Sequence, residues 1–265
     1  MKISPLACVD SRAQLASDVE VGPFCVIGPD VVLGAGCRLY NNVTIIGHTT
    51  LGRGNVVFPN AVIGAPPQDK KYHGEVTFLE IGDNNLIREM VTINCGTAKG
   101  GGVTRIGSNN MLMVGVHVAH DVQMGSNCIL ANNVQMAGHV VIGDYVNMAG
   151  NVGIHHFVTV GEYAFLCGAS RIHHDVPPYM KVDGADEVRG VNKVGLSRAG
   201  FSQEDIAALD EACRRLFYRE KPFSVALDEL DGNNGLNRHV KRLVQFLRQR
   251  DMGCKGRFLE SKRAR

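Results

Sequence analysis

Aliphatic side chains recur at every sixth position along most of the first 172 residues. One run passes from Ile3, Val9, Leu15 and Val21 through Leu51 and Val57 to Ile63. The spacing continues at Ile81, Ile87 and Ile93, and a second long run leads from Ile106, Leu112 and Val118 to Leu166 and Ile172. Hydrophobic residues make up 45% of the chain. Even at that density, the twelve consecutive matches from Ile106 to Ile172 arise by chance with a probability on the order of 10⁻⁴. A period of six matches neither a helix face near 3.6 nor the alternation of a hairpin. It predicts a solenoid in which each hexapeptide makes one short strand and one tight turn, and three hexapeptides close a triangular coil. About ten coils spaced ~4.8 Å apart give a prism near ~50 Å long.

The turns carry their own marks. Gly follows the aliphatic residue at Ile27-Gly28, Leu33-Gly34, Ile142-Gly143 and elsewhere, and Asn or Asp recurs where left-handed backbone angles are needed. Small residues precede the aliphatic by two positions at Cys25, Cys37, Ala61 and Cys128, which predicts a packing role for most of the early cysteines. The eight cysteines are scattered singly without a Cys-x-x-Cys pair, so a zinc ribbon is excluded and a reducing compartment is expected.

The period breaks twice. Between Ile63 and Ile81 the inward positions would be Asp69 and Glu75, so residues 65–75 are predicted to leave the prism as a loop. Between Ile93 and Ile106, Lys99-Gly100-Gly101-Gly102 marks a second excursion. Loops that leave a solenoid commonly line its sites.

After Pro177-Pro178 the period ends. Ser202-Gln203-Glu204-Asp205 starts a helix through Ile206, Leu209, Cys213 and Leu216, and Pro222 breaks it. Two further helices are predicted over Val225–Leu230 and from Leu236 to about Arg250, capping the prism and covering its strand edges. The expected organisation is an all-β solenoid over 1–190 and a small α-helical C-terminal domain over 191–265.

A net charge of +2 is too weak for a general polyanion binder, and with no Trp and 6% aromatics a base-stacking surface is not expected, so no nucleic acid partner is predicted. Residues 236–265 nevertheless hold ten Lys/Arg against Asp251 and Glu260. This basic end suits an acidic partner. The N-terminal segment has no apolar signal core and the chain has no apolar run of about 18 residues, so a cytoplasmic protein without membrane insertion is expected.

Four histidines, His117, His120, His139 and His155, fall in one stretch of the prism with His156 beside the last. Stacking by 18 places position 138 over His120 and His156 over that, and His139 over Asp121. Imidazoles gathered on one edge can act as a general base near neutral pH. Three of them, His117, His120 and His139, can also imitate the zinc site of a γ-class carbonic anhydrase.

The repeat resembles the hexapeptide-repeat, left-handed parallel β-helix family, and the left hand is an implication of that resemblance. Ala65-Pro-Pro-Gln-Asp-Lys-Lys-Tyr72, the Lys99-Gly-Gly-Gly loop, His117-Val-Ala-His-Asp121, Ala137-Gly-His139 and Asp175-Val-Pro-Pro-Tyr179 are more specific. They are similar to the acyl-carrier-protein-dependent UDP-N-acetylglucosamine O-acyltransferases that begin lipid A synthesis. The similarity continues through Gly190-Val-Asn192.

The resemblance implies transfer of a 3-hydroxyacyl chain from acyl carrier protein to the 3-hydroxyl of a UDP-sugar, without cofactor or metal, by a homotrimer with sites between neighbours. It makes His120 the general base, Asp121 its partner and the Gly138 N–H the oxyanion donor. Alternation along a strand would point Asp121 away from His120. The same resemblance assigns Asp69 and Lys71 to the sugar, and His117, His139, His155, His156, Asn192 and Arg198 to the UDP-sugar. Gly168 becomes the floor of the acyl groove. Departures from the family pattern occur at Asn94, Cys95, His156, Val194 and Ala199, which leaves a 3-amino sugar as an alternative acceptor. A sister N-acyltransferase would carry a uridine-binding domain ahead of its prism, and here the repeat begins at Ile3.

Overall fold

Short strands, most of two residues and ending on the inward aliphatic residue, build a left-handed parallel β-helix. The computed structural model describes residues 2–218, 221–233 and 235–263. The strands form three sheets of eleven, nine and eight members, and each sheet takes every third strand in chain order until the last two strands of the largest. Lys2 pairs with Glu20, and Arg38 with Val56, so one coil is eighteen residues. The aliphatic residues Ile27, Leu33, Leu39 and Ile45 fill the interior and are almost fully buried. The first coil has nothing beneath it, and Ile3 is accordingly 36% exposed.

Small residues fit the corners between sheets. Cys25, Cys37 and Cys128 are wholly buried, and their thiols donate to the carbonyls of Tyr40, Gly52 and Gly143 at 2.8, 3.1 and 3.2 Å. Burial pushes the Cys128 thiol up to about 12. These are packing cysteines, and all eight cysteines are free thiols.

The excursions sit where burial forbids the sequence. Ile81 pairs with Leu51 across a step of thirty residues, so twelve extra residues loop out and take Asp69 and Glu75 with them. The period alone suggests the loss of a whole coil, whereas only two sides leave and the next strand resumes in place. Ile93 pairs with Val118 across twenty-five residues, which places seven extra in the glycine loop.

The final strands, Met180–Asp183 and Glu187–Val191, form an antiparallel hairpin that ends the largest sheet. Four helices follow: α1 (Lys193–Arg198), α2 (Gln203–Phe217), α3 (Phe223–Asp231) and α4 (Arg238–Asp251). Ser202 caps α2 through the Asp205 N–H. The short α1 has no hydrophobic period to announce it. Leu209, Leu227 and Leu243 pack with Tyr179 and Met180 into a second core against the last coil, and Arg242 grips Glu162 of the prism at 2.8 and 3.1 Å.

The basic end is less free than its count suggests. Arg248 pairs with Asp228 and Asp231, Arg242 with Glu162, and Arg257 with Glu260. Arg238, Lys241 and Lys255 remain exposed. Arg265, counted in that end, lies outside the described residues. No helix among the described residues is long and apolar enough to cross a membrane.

Candidate active site

Many of the two-residue turns place a left-handed residue second, and Asn takes that place at positions 42, 60, 84, 109, 127, 133 and 151. One edge carries no Asn in this place. There Asp121, His139 and Phe157 adopt φ of 62°, 62° and 63°, one coil apart. The residues before them, His120, Gly138 and His156, form the adjoining column. The His139 N–H donates to the His120 carbonyl at 3.1 Å, which locks successive turns together.

The turn corrects the expectation for Asp121. His120 and Asp121 both lie in the turn, beyond the His117–Val118 strand, so strand alternation does not apply to them. The positive φ of Asp121 swings its carboxylate back, and Oδ2 lies 2.7 Å from Nδ1 of His120. Thr97 completes the arrangement by donating its N–H to Oδ1 and its hydroxyl to Oδ2, both at 2.7 Å. Gly100 presses so closely on the carboxylate that a Cβ there would collide with it. Burial alone would raise the Asp121 carboxyl, but the hydrogen bonds from His120 and Thr97 outweigh it and hold the group below the usual carboxylate range.

An ionised Asp121 fixes the proton of His120 on Nδ1 and leaves the Nε2 lone pair available. Thr97 was not among the residues singled out from the sequence. Its only signal there is its place two residues before Lys99 at the glycine loop.

Gly138 has two roles in the geometry. A Cβ on it would meet the His120 ring, so only glycine leaves the imidazole in place. Its N–H makes no hydrogen bond among the described residues and is available to a ligand.

A cleft of about 760 Å³ opens over this edge and gathers Asp69, Lys71, His120, Asp121, Gly138, His139 and His156. Asp69 turns its own loop by accepting from the Lys71 N–H at 2.9 Å. The loop is tethered by Asn94, whose amide donates to the Pro66 carbonyl at 3.0 Å. His139 stacks on Phe157 with ring centroids 4.4 Å apart, and burial lowers its basicity. Burial, reinforced by His155, pushes His156 down to about 4.

His117 and His155 line a shallower groove that shares His120 and Gly138 with the main cleft. Gly168, Asn192 and Arg198 are not brought to this edge within one chain. Gly168 stacks over Gly150 on a different column. Asn192 caps α1 by accepting from the Gly195 N–H and donates to the Tyr163 carbonyl, and Arg198 is exposed at the end of α1.

The three-histidine zinc arrangement does not form. His117 is directed to Thr92, with Nδ1 2.8 Å from its hydroxyl. The group whose donor atoms converge within 4.8 Å is His120, Asp121 and His139. Its carboxylate already accepts from His120 and twice from Thr97, which leaves it poorly suited to a cation.

The chain matches the family described as Udp N-acetylglucosamine O-acyltransferase, Domain 2, over residues 175–255, and bacterial transferase hexapeptide repeats over 12–47 and 104–138. It is 55% identical over 246 residues to the acyl-[acyl-carrier-protein]–UDP-N-acetylglucosamine O-acyltransferase of Azorhizobium caulinodans, covering 92% of this chain and 91% of that one. The enzyme of the same name from Akkermansia muciniphila is 50% identical, covering 95% and 98%. Among solved structures, the UDP-N-acetylglucosamine acyltransferase of Bacteroides fragilis superposes with a TM-score of 0.89 at 42% identity, covering 93% and 96%.

Proposed function

The chain belongs to the acyl-[acyl-carrier-protein]–UDP-N-acetylglucosamine O-acyltransferase family, and on that premise we propose that the His120 cleft is where its acyl transfer takes place. The protein transfers an acyl chain from acyl carrier protein to UDP-N-acetylglucosamine, the first step of lipid A synthesis. Neither a zinc hydratase nor a 3-amino sugar acceptor is favoured by relatives of this identity.

Nε2 of His120 takes the proton from the sugar 3-hydroxyl as that oxygen attacks the thioester carbonyl of a 3-hydroxyacyl carrier. The Asp121 carboxylate stabilises the imidazolium, and the Gly138 N–H receives the oxyanion of the tetrahedral adduct. The adduct collapses by breaking the C–S bond, and the departing thiolate recovers the proton from His120. The products are the 3-O-acyl sugar nucleotide and the free carrier thiol. The observation that carries this reading is the 2.7 Å contact between His120 and the buried Asp121, which leaves Nε2 as the basic atom.

Asp69, Lys71, His139 and His156 hold the sugar nucleotide in this reading, with His117 and His155 in the neighbouring groove. Gly168, Asn192 and Arg198 complete the site from a second copy in a homotrimer. Support for the trimer is that one chain leaves these three residues away from His120, and closed three-fold symmetry suits a triangular rod. The carrier, an acidic protein, docks on cations that keep no partner carboxylate among the described residues, Arg238, Lys241 and Lys255. The free thiols fit residence in the cytoplasm.

The test is an assay of the purified protein with a panel of 3-hydroxyacyl carriers and UDP-sugars, following thioester loss. Turnover with UDP-N-acetylglucosamine that weakens with salt through the carrier KM is expected. No turnover with any pair would overturn the reading.

A further inference from the structure

The last described residues of the chain return to the prism and form part of the cleft wall. Leu259, Lys262 and Arg263 line the same cavity as His120. This segment lies beyond residue 255, where the family match ends. It is fastened by buried groups. Asp175 accepts from the Thr159 N–H at 2.7 Å and from the Phe258 N–H at 2.8 Å, which ties prism and tail through one carboxylate. The Arg257 guanidinium, 6% exposed, donates to the His173 carbonyl at 2.7 Å and lies 3.2 Å from Glu260.

Glu260 in turn organises the cations. Its carboxylate is 7% exposed, and Oε1 accepts from Arg263 at 3.3 Å. Burial would raise this carboxyl, but Arg257 and Arg263 together hold it below the usual range. Arg263 also approaches Nε2 of His156 at 3.4 Å and lies over the Phe157 ring at 5.5 Å. His156 is one of the positions where the sequence departs from the family pattern, so an unusual histidine and the tail meet in one place. Lys262 rests its ammonium over the Phe258 ring at 4.4 Å and has no ion-pair partner among the described residues. Two cations are thereby held in a cleft whose opposite wall carries the Asp69 loop and the His120 turn.

We propose that Lys262 and Arg263 form a cationic contact for a substrate phosphate in the His120 cleft, with Arg263 positioned by the Arg257–Glu260 pair. The inference rests on the acyl-transfer reading above. A guanidinium fixed by a buried carboxylate, beside an ammonium held over an aromatic ring, suits phosphate oxygens, and both substrates of that reaction carry them. One source is the diphosphate of the sugar nucleotide, and the other is the phosphodiester of the carrier's thiol-bearing arm. Glu260 is a positioning residue, since it reaches the ligand only through Arg263.

The test compares the unsubstituted protein with Lys262→Gln/Arg263→Gln, Arg263→Lys and Glu260→Gln. Arg263→Gln alone, a change at an exposed side chain, serves if the double variant does not fold. KM is measured separately for UDP-N-acetylglucosamine and for the acyl carrier, and UDP and carrier binding are measured directly without turnover. Loss of charge-assisted contacts is expected to weaken one ligand by about tenfold to a hundredfold, with a smaller effect on kcat. Arg263→Lys should retain part of the affinity, and Glu260→Gln should weaken the same ligand as the double variant. A rise in the UDP-sugar KM together with weaker UDP binding identifies the diphosphate, and a change confined to the carrier identifies the phosphodiester. Affinities for both ligands within about twofold of the unsubstituted protein would overturn the contact. Absence of turnover by the unsubstituted protein would instead count against the reaction, and the direct binding measurements would still decide the contact.

Discussion

Gly138 lies over the His120 imidazole so closely that a Cβ at position 138 would come within 2.5 Å of Cε1. The ring therefore has one place to stand only while this position carries no side chain. Gly138→Ala is expected to lower kcat by about 10²–10³-fold, because displacement of the base and crowding of the oxyanion donor act together. The melting temperature should fall far less than a misfolded protein would require. Turnover within a few-fold of the unsubstituted protein would show that the ring does not occupy its catalytic position as described.

Asp121→Asn replaces an acceptor by an amide that can donate to Nδ1 and favour the wrong tautomer. The expected loss in kcat is about 10²–10⁴-fold with little change in the UDP-sugar KM. Thr97→Val removes one of the hydrogen bonds to Asp121 and should cost about tenfold. A Thr97→Val enzyme with unchanged kcat would make the threonine merely structural.

Buried histidines set the response to acid. His117, His139 and His156 are all lowered from the ordinary imidazole value by burial, and His156 is pushed to about 4. Below about pH 6.5 the unfolded chain takes up protons that these folded sites refuse, so stability falls as pH drops toward the folded values. The lowered Asp121 acts in the same direction at still lower pH. Thermal unfolding should shift downward between pH 7 and pH 5, and His156→Gln should flatten that slope. An equal or steeper slope in the variant would contradict the assignment.

Gly168 is exposed over Gly150, with its nearest neighbour atom 3.5 Å from a Cβ built on it. One chain thus has room for a larger side chain at this position, and in the proposed trimer that room would serve the acyl groove. Gly168→Met should favour a shorter acyl donor, read as the ratio of kcat/KM across a chain-length series. An unchanged ratio would remove Gly168 from the groove.

The hexapeptide period made the prism legible because each inward position is filled by one residue of each side, at a spacing that neither a helix face nor a hairpin repeats. The excursions were legible for the opposite reason, since Asp69 and Glu75 cannot enter an aliphatic interior. Other features were hidden by locality. The Asp121 contact is hidden because strand alternation does not govern a residue with φ of 62°, whose carboxylate turns back on its own neighbour. Helix α1 is too short to show a period. The tail's place in the cleft depends on Asp175 holding the Phe258 N–H across 83 residues, which no pattern within a window can reveal.

The most direct measurement is the turnover of His120→Ala with a 3-hydroxyacyl carrier and UDP-N-acetylglucosamine, alongside its melting temperature and UDP-sugar affinity. Loss of nearly all thioester cleavage, with fold and affinity retained, is the predicted result. Retention of about a third of the rate would contradict a general base at this position.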